Sequence, residues 1–418
     1  MRLLLVAQFF PPVIGGEERH VFNLANMLAD RGHAVTVATQ SAKGCPDEEV
    51  LPSGVQVRRF ATMAMSLPGV YSTSRPHHPP VPDPLGVAAL RRIVAEAPPD
   101  VVHAHNWAVN SVLPLRRLSA DRRPFGLVLT LHDYSQVCAT KRLMRDGVPC
   151  AGPSVARCLP CATNHYGPVV GPVTALATAA MRPWKSHSID YVVSVSRAVA
   201  SANHVADGPS SSVIPNFIPD AFVQEADASS SAESIERSHL DLPDDKFLLF
   251  VGELSREKGI LTLLSAYERL GEDRPPLVLI GRRTPETPED LPAGASVRVE
   301  WPHANVMEAF RRSTAAVLPS VWPDPCPTTV LEAQATGTPV ITTAIGGIVD
   351  MVVNEESGLL VTPGNEAELT MAMQRVLQDE GLRFQITAGG RKIVQHFTAT
   401  AVAERLEAVY AQVAPSRA

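Results

Sequence analysis

The chain has 418 residues, 45% of them apolar and 19% charged, with a formal net charge of −6. Apolar content this high with so small a charge imbalance excludes a disordered or collagen-like chain, and the length suits about two or three domains. The slight acidic excess argues against a general nucleic-acid binder, and six cysteines are too few for a secreted disulfide scaffold.

The N-terminal MRLLLVAQFFPP runs into Pro11 and Pro12 before its apolar core is long enough for a secretory leader. Leu3–Ala7 reads instead as a buried parallel strand. A loop with Gly15 and Gly16 follows, then Val21, Leu24, Ala25 and Leu28 at helical spacing, a stop at Gly32 and a β-branched strand at Ala34–Thr39. This is a βαβ unit with an expected right-handed crossover. Further strands are expected at Val101–Ala104, Gly126–Thr130, Tyr191–Val195 and Ser212–Ile214, with a Pro-rich loop over 61–86. From Asp220 to Asp245 the chain becomes acidic and Ser-rich, as at a domain boundary. Alternation then restarts, with strands at Phe247–Val251, Leu277–Ile280, Val297–Val299, Ala315–Leu318 and Pro339–Thr342. Helices are expected near 259–270, 304–312, 329–336 and 366–378.

The pattern predicts an α/β protein of two Rossmann-like units, residues 1–220 and 221–399, facing across a cleft. The last helix, within 400–414, is expected to pack back on the first unit. No uninterrupted apolar run reaches the ~18 residues of a membrane span; the nearest, Gly167–Met181, contains two prolines. The expectation is a cytoplasmic chain whose only membrane contact is peripheral. Between residues 101 and 200, 11 Lys and Arg face only four acids. Such a field suits an anionic partner, a phosphorylated acceptor or a lipid headgroup layer, and equally describes a solvated face.

Several residues stand where chemistry could use them. Glu332 lies on the predicted helix 329–336, with Thr328 at its cap, eight residues after Asp324. A carboxylate there can accept from both ribose hydroxyls, while the free N–H groups of the helix start suit a phosphate; an exposed acid on a helix is the plainer reading. Lys258, in VGELSREKGI, follows a strand and can neutralise phosphate oxygens or merely be solvated. Gly346 and Gly347 permit close backbone approach or a turn. Gly15 and Gly16 resemble a phosphate-binding turn, but the spacing is not G-x-G-x-x-G, so a dinucleotide fingerprint is absent. His132 and Asp133 end a strand where α/β ligands bind, with a hydrogen-bonded structural histidine as the alternative.

PPVIGGEERHVFNLANMLADRGHAVTV resembles the opening of the retaining glycosyltransferases of family 4. VVHAHNW, LTLHDY, VIPNF, VGELSREKGI, VLPSVWPDPCPTTVLEAQATGTPVITTAIGGIVDMV and SGLLVTPGN extend the likeness over nearly the whole chain. The resemblance implies the GT-B fold, a nucleoside-diphosphate sugar donor carried on UDP or GDP, retention of anomeric configuration and no catalytic metal. It also implies a hydroxyl acceptor on a glycan, a lipid-linked sugar or a small molecule. By that resemblance Gly16 approaches the donor phosphates and the acceptor, and His132 lies against the donor sugar. Lys258 holds the diphosphate, Asp324 contacts sugar hydroxyls and Glu332 takes the ribose. Thr329 and Val330 offer N–H groups to the phosphates, and Gly252 ends the strand before Lys258.

The sequence departs from the family at three points. Glu253 stands where relatives carry Arg after Gly252, so it must point away or Arg256 must supply the charge. Cys326-Pro327 replaces Phe-Gly, removing a donor, and Asp324 is one methylene shorter than the usual Glu. These departures keep a catalytically silent binding protein in view as an alternative, beside a nucleotide-sugar epimerase on the same fold. Separately, Cys138, Cys150, Cys158 and Cys161 fall within 24 residues, with His165 in reserve. The thiols can form a structural, non-catalytic zinc knot or stay unlinked.

Overall fold

The computed structural model describes every residue except 14, 67–77, 118–124, 206–207, 224–239 and 416–418. The Ser-rich run 225–238 and the middle of the Pro-rich loop thus lie outside the described residues. The chain divides into two compact units. One comprises Met1–Arg145, Cys150–Pro215 and Val402–Ala418; the other comprises Asp146–Pro149 and Asn216–Ala401.

The first unit is built on an eight-stranded sheet. Its order is Ser210–Val213, Tyr191–Ser194, Gly126–Leu131, Val101–His105, Arg2–Val6, Ala34–Gln40, Gln56–Phe60 and Glu48–Val50. All neighbours are parallel except the last pair. The central strands are largely apolar because helices cover both faces of a parallel sheet. Leu5, Val101, Leu127 and Val128 are accordingly fully buried. The final helix, Ala399–Val413, belongs here through most of its length: Tyr410 Oη meets His103 Nδ1 at 2.7 Å beneath the sheet.

The stretch holding the two prolines read against a membrane span is part of a long helix, Val155–Ser188, broken at Gly167 (φ 84°, ψ 172°). The break folds the second arm onto the first. A Cβ on Gly171 would come within 2.4 Å of the Ala162 carbonyl, so the arms touch backbone to backbone. Among the described residues no helix is long and apolar enough to cross a membrane.

The second unit has a six-stranded, wholly parallel sheet. Its order is Ala295–Arg298, Leu277–Ile280, Leu248–Val251, Ala315–Leu318, Val340–Thr343 and Leu359–Val361. Helices Ile260–Glu268 and Glu366–Gln378 close one face through Leu263, Tyr267, Leu369 and Met373.

Two glycines fix the approach to the strand ends of this unit. Gly281 (φ 157°) lies so near Gly252 that a Cβ would sit 1.7 Å from its carbonyl oxygen. Gly259 (φ 80°) caps helix Ile260–Glu268 immediately after Lys258, and a Cβ there would sit 1.8 Å from the Pro319 oxygen. Gly259→Ala is therefore expected to cost more than the ~1–2 kcal/mol of a left-handed backbone alone. Urea unfolding checks it: a midpoint equal to that of the wild type contradicts this account of the turn.

Candidate functional site

In the second unit, Gly252, Lys258, Asp324, Pro327, Thr329 and Val330 line one crevice. Lys258 Nζ and Asp324 Oδ2 form a close ion pair, with the aspartate side chain 8% exposed. The ammonium also stands 5.6 Å from the centre of the Trp322 ring. Asp324 is held from behind. Gly347 N–H donates to its carbonyl at 2.7 Å, and a Cβ on Gly346 (φ 60°) would collide with the Pro323–Asp324 backbone. The glycine pair thus shapes the aspartate loop.

Helix Thr328–Ala335 opens onto this crevice. Its N-cap is Pro327, with no side-chain cap, so Thr328 is the first helical residue and caps nothing. Val330 N–H, expected to face phosphate, donates to the Pro327 carbonyl at 3.2 Å. Glu332 is buried at 4% exposure, and His303 Nε2 lies 3.0 Å from its Oε1. That partner, 29 residues away, was not foreseen; it packs on the Phe222 ring at 5.5 Å.

The structure resolves the Glu253 alternatives. Glu253 pairs with Arg282 and does not line the crevice, so its charge is directed elsewhere. Arg256 is exposed and lies outside the crevice lining as well. Cys326 is buried, its thiol pushed up to about 12 by burial, and its carbonyl accepts from Asn216 Nδ2 at 3.0 Å.

In the first unit, Gly15 is extended and precedes helix Gly16–Asp30. A Cβ on Gly16 would meet nothing within 4 Å, so packing does not demand glycine there. His132 is 9% exposed and belongs to a stack of imidazoles. Its Nε2 lies 2.9 Å from His105 Nδ1, and its ring centre is 5.2 Å from that of His105 and 4.8 Å from that of His20. His103 continues the stack at 4.5 Å and is held between Tyr410 Oη and Thr130 Oγ1. Burial, then the neighbouring imidazoles, holds His20 and His105 well below the usual range, and His103 falls to about 3. These rings are therefore neutral at pH 7.

Asn106, in the left-handed conformation at φ 46°, ties the loops together. Its Oδ1 accepts from His132 N–H at 2.9 Å, and its Nδ2 donates to Glu17 Oε2 at 2.7 Å and to Asp133 Oδ2 at 3.2 Å. Glu17 Oε1 is buried with no hydrogen-bond partner. Sequence reasoning passed over His20, His103, His105, Asn106 and Glu17 as site residues. The available signal was the H-A-H alternation of residues 103–105, which sets two imidazoles on one face of a strand.

Cys138, Cys150, Cys158 and Cys161 are all unoxidised and half-buried. Burial, then the other three thiols, raises the Cys161 pKa. Among the described residues no three His, Cys, Asp or Glu side chains are drawn up as a metal-ligand set.

The two parallel-sheet units and the crevice at the start of an uncapped helix define a GT-B transferase of sugar residues. The family model for "Glycosyltransferase Family 4" matches residues 14–222, and that for "Glycosyl transferases group 1" matches 231–393. The chain belongs to glycosyltransferase family 4. A glycogen synthase of Mycobacterium tuberculosis is 27% identical, the match covering 91% of this chain and 86% of that one. A D-inositol 3-phosphate glycosyltransferase of Xylanimonas cellulosilytica is 26% identical over 96% and 93%. Among solved structures, sucrose-phosphate synthase from Thermosynechococcus elongatus superposes with a TM-score of 0.72 at 21% identity, covering 98% of each chain. Anabaena Alr3699/HepE in complex with UDP-glucose gives 0.66 at 16% identity, covering 99% of this chain and 100% of that one.

Burial, then Glu18 and Asp133, pushes the Glu17 carboxyl up from 4.5 to about 8. The folded chain thus keeps a proton that the unfolded chain releases across this window, and stability falls as pH rises through it. Glu17→Gln keeps an acceptor for Asn106 and cannot ionise. It is expected to match the wild type near pH 4.5 and to melt higher near pH 9. Thermal unfolding across this range checks it; parallel wild-type and variant curves contradict it.

Proposed function

We propose that this protein is a retaining glycosyltransferase that moves a sugar from a UDP- or GDP-linked donor to a hydroxyl of a glycan, lipid-linked or small-molecule acceptor. The observation that carries the reading is the convergence of Lys258, Asp324 and the uncapped start of helix Thr328–Ala335 on one crevice. The buried Glu332 lies one turn further along that helix. A cation and free N–H groups suit a diphosphate, and a buried carboxylate suits ribose hydroxyls. The Anabaena neighbour carries UDP-glucose in its structure, which favours a uridine nucleotide.

Departure of a diphosphate builds negative charge on its oxygens and oxocarbenium character on the sugar. Lys258, preorganised on its turn, and the helix N–H groups stabilise the first. Asp324 engages sugar hydroxyls once the phosphates take up Lys258. In the first unit, the Gly16 loop leaves room for substrate, and His132 is oriented by His105 and Asn106. In a front-face reaction a leaving phosphate oxygen accepts the acceptor's proton, so no separate protein base is required. The pairing of Glu253 with Arg282 supports the active reading over a silent relative. Six unpaired cysteines fit the reducing cytoplasm.

A structural zinc on Cys138, Cys150, Cys158 and Cys161 is a separate proposal. It is supported by the mutual influence of the four thiols, although they are not drawn up as a ligand set. Metal analysis of the purified chain is expected to give one zinc; none rejects it.

A panel of UDP-, GDP-, ADP- and dTDP-sugars tests the main reading. One nucleotide class is expected to bind and to be hydrolysed slowly with retention. His132→Ala should lower turnover by at least ~10²-fold while leaving donor binding in place. Failure of every nucleotide sugar to bind overturns the reading.

A further inference from the structure

In the first unit, a pocket of about 430 Å³ lies between the end of helix Val155–Ser188 and the sheet. Its apolar surface includes Leu129, Leu131, Ile189 and Val192. Lys185 enters it from the helix and is only 3% exposed. Its Nζ donates to Gln136 Oε1 at 2.9 Å, and among the described residues no carboxylate pairs with it. An ammonium only donates, so this bond fixes the amide with its oxygen toward Lys185. Gln136 Nε2 is left buried without a partner, on a residue itself 9% exposed. Arg182, half-buried, lines the same pocket, and among the described residues no Asp or Glu does.

Every charged or unpartnered group identified here is therefore a donor, over an apolar floor. A buried ammonium hydrogen-bonded only to a neutral amide is costly. Burial, then Arg182, depresses Lys185 to about 7, and the Asp133 carboxylate offsets this only in part. An anion in the pocket would add to that counter-charge.

We propose that this pocket binds an amphipathic anion, its phosphate or carboxylate head on Lys185, Gln136 and Arg182 and its apolar body on Leu129 and Leu131. The pocket backs onto the segment that carries His132. Asn203 Nδ2 donates to the Asp133 carbonyl at 3.0 Å, and its Oδ1 accepts from Gln136 N–H at 3.2 Å. An occupant would stiffen that segment. The inference does not rest on the donor assignment, and it is measured without nucleotide sugar, so the two readings fail separately.

The experiment is calorimetric titration of the full chain with octyl phosphate, inorganic phosphate and octanol. Octyl phosphate is expected to bind one to one, at least about tenfold more tightly than either of the others. Lys185→Met, which keeps the length of the side chain and removes the charge, should weaken it by at least about tenfold. Absence of saturable binding, equal affinity for inorganic phosphate, or undiminished binding by Lys185→Met overturns the proposal. Should that variant melt abnormally, protection of Lys185 from amine acylation in the wild type decides: protection by octyl phosphate supports the proposal, and unchanged labelling overturns it. Competition between octyl phosphate and phosphatidic-acid vesicles then assigns the source. Displacement marks a membrane lipid, and none marks a soluble amphiphile.

Discussion

In the proposed reading, the pairing of Lys258 with Asp324 is the contact on which the second unit's chemistry turns. It joins a turn after one strand to a loop after another, 66 residues apart. Both partners are placed by backbone that tolerates no side chain: Gly259 behind the lysine and Gly346 behind the aspartate. A charge pair at the mouth of a partly buried crevice is a poor source of stability. It is a good way to keep an ammonium oriented where a diphosphate can take over its charge.

The first unit uses a different device. Its strand ends carry imidazoles linked in series from Tyr410 on the final helix through His103 and His105, both kept neutral by burial, to His132. Asn106 adds a second restraint on His132 through the backbone and is held in a left-handed conformation by three bonds to two segments, Glu17 and His132–Asp133. In the proposed reading, a histidine fixed on both ring and backbone presents a constant face to substrate. Strain and buried polarity concentrate where function asks for geometry.

Much of the fold was legible because buried parallel strands read as short apolar runs, and LLLV, GLVLTL, LLFV and LVLI are all such runs. The long helix Val155–Ser188 was not placed, since four prolines interrupt its pattern and Gly167 breaks it into two arms. At the site, Lys258, Asp324 and Glu332 could be picked out from their place after strands and at a helix start. What each of them touches could not. The destination of Glu253 depends on Arg282, and the partner of Glu332 on His303, each 29 residues away. Arg256 was given to the donor on proximity in sequence, and its side chain went to the surface. The histidine stack escaped notice because period-two spacing shows which residues share a face, but only the folded chain shows what that face meets.

The central claim is that Lys258 grips the pyrophosphate of an activated sugar. Calorimetry of nucleoside diphosphates on wild type and Lys258→Ala tests it most directly. The account predicts one-to-one binding of at least one diphosphate, weakened by at least about tenfold in the variant. Equal affinity in the two proteins would contradict it.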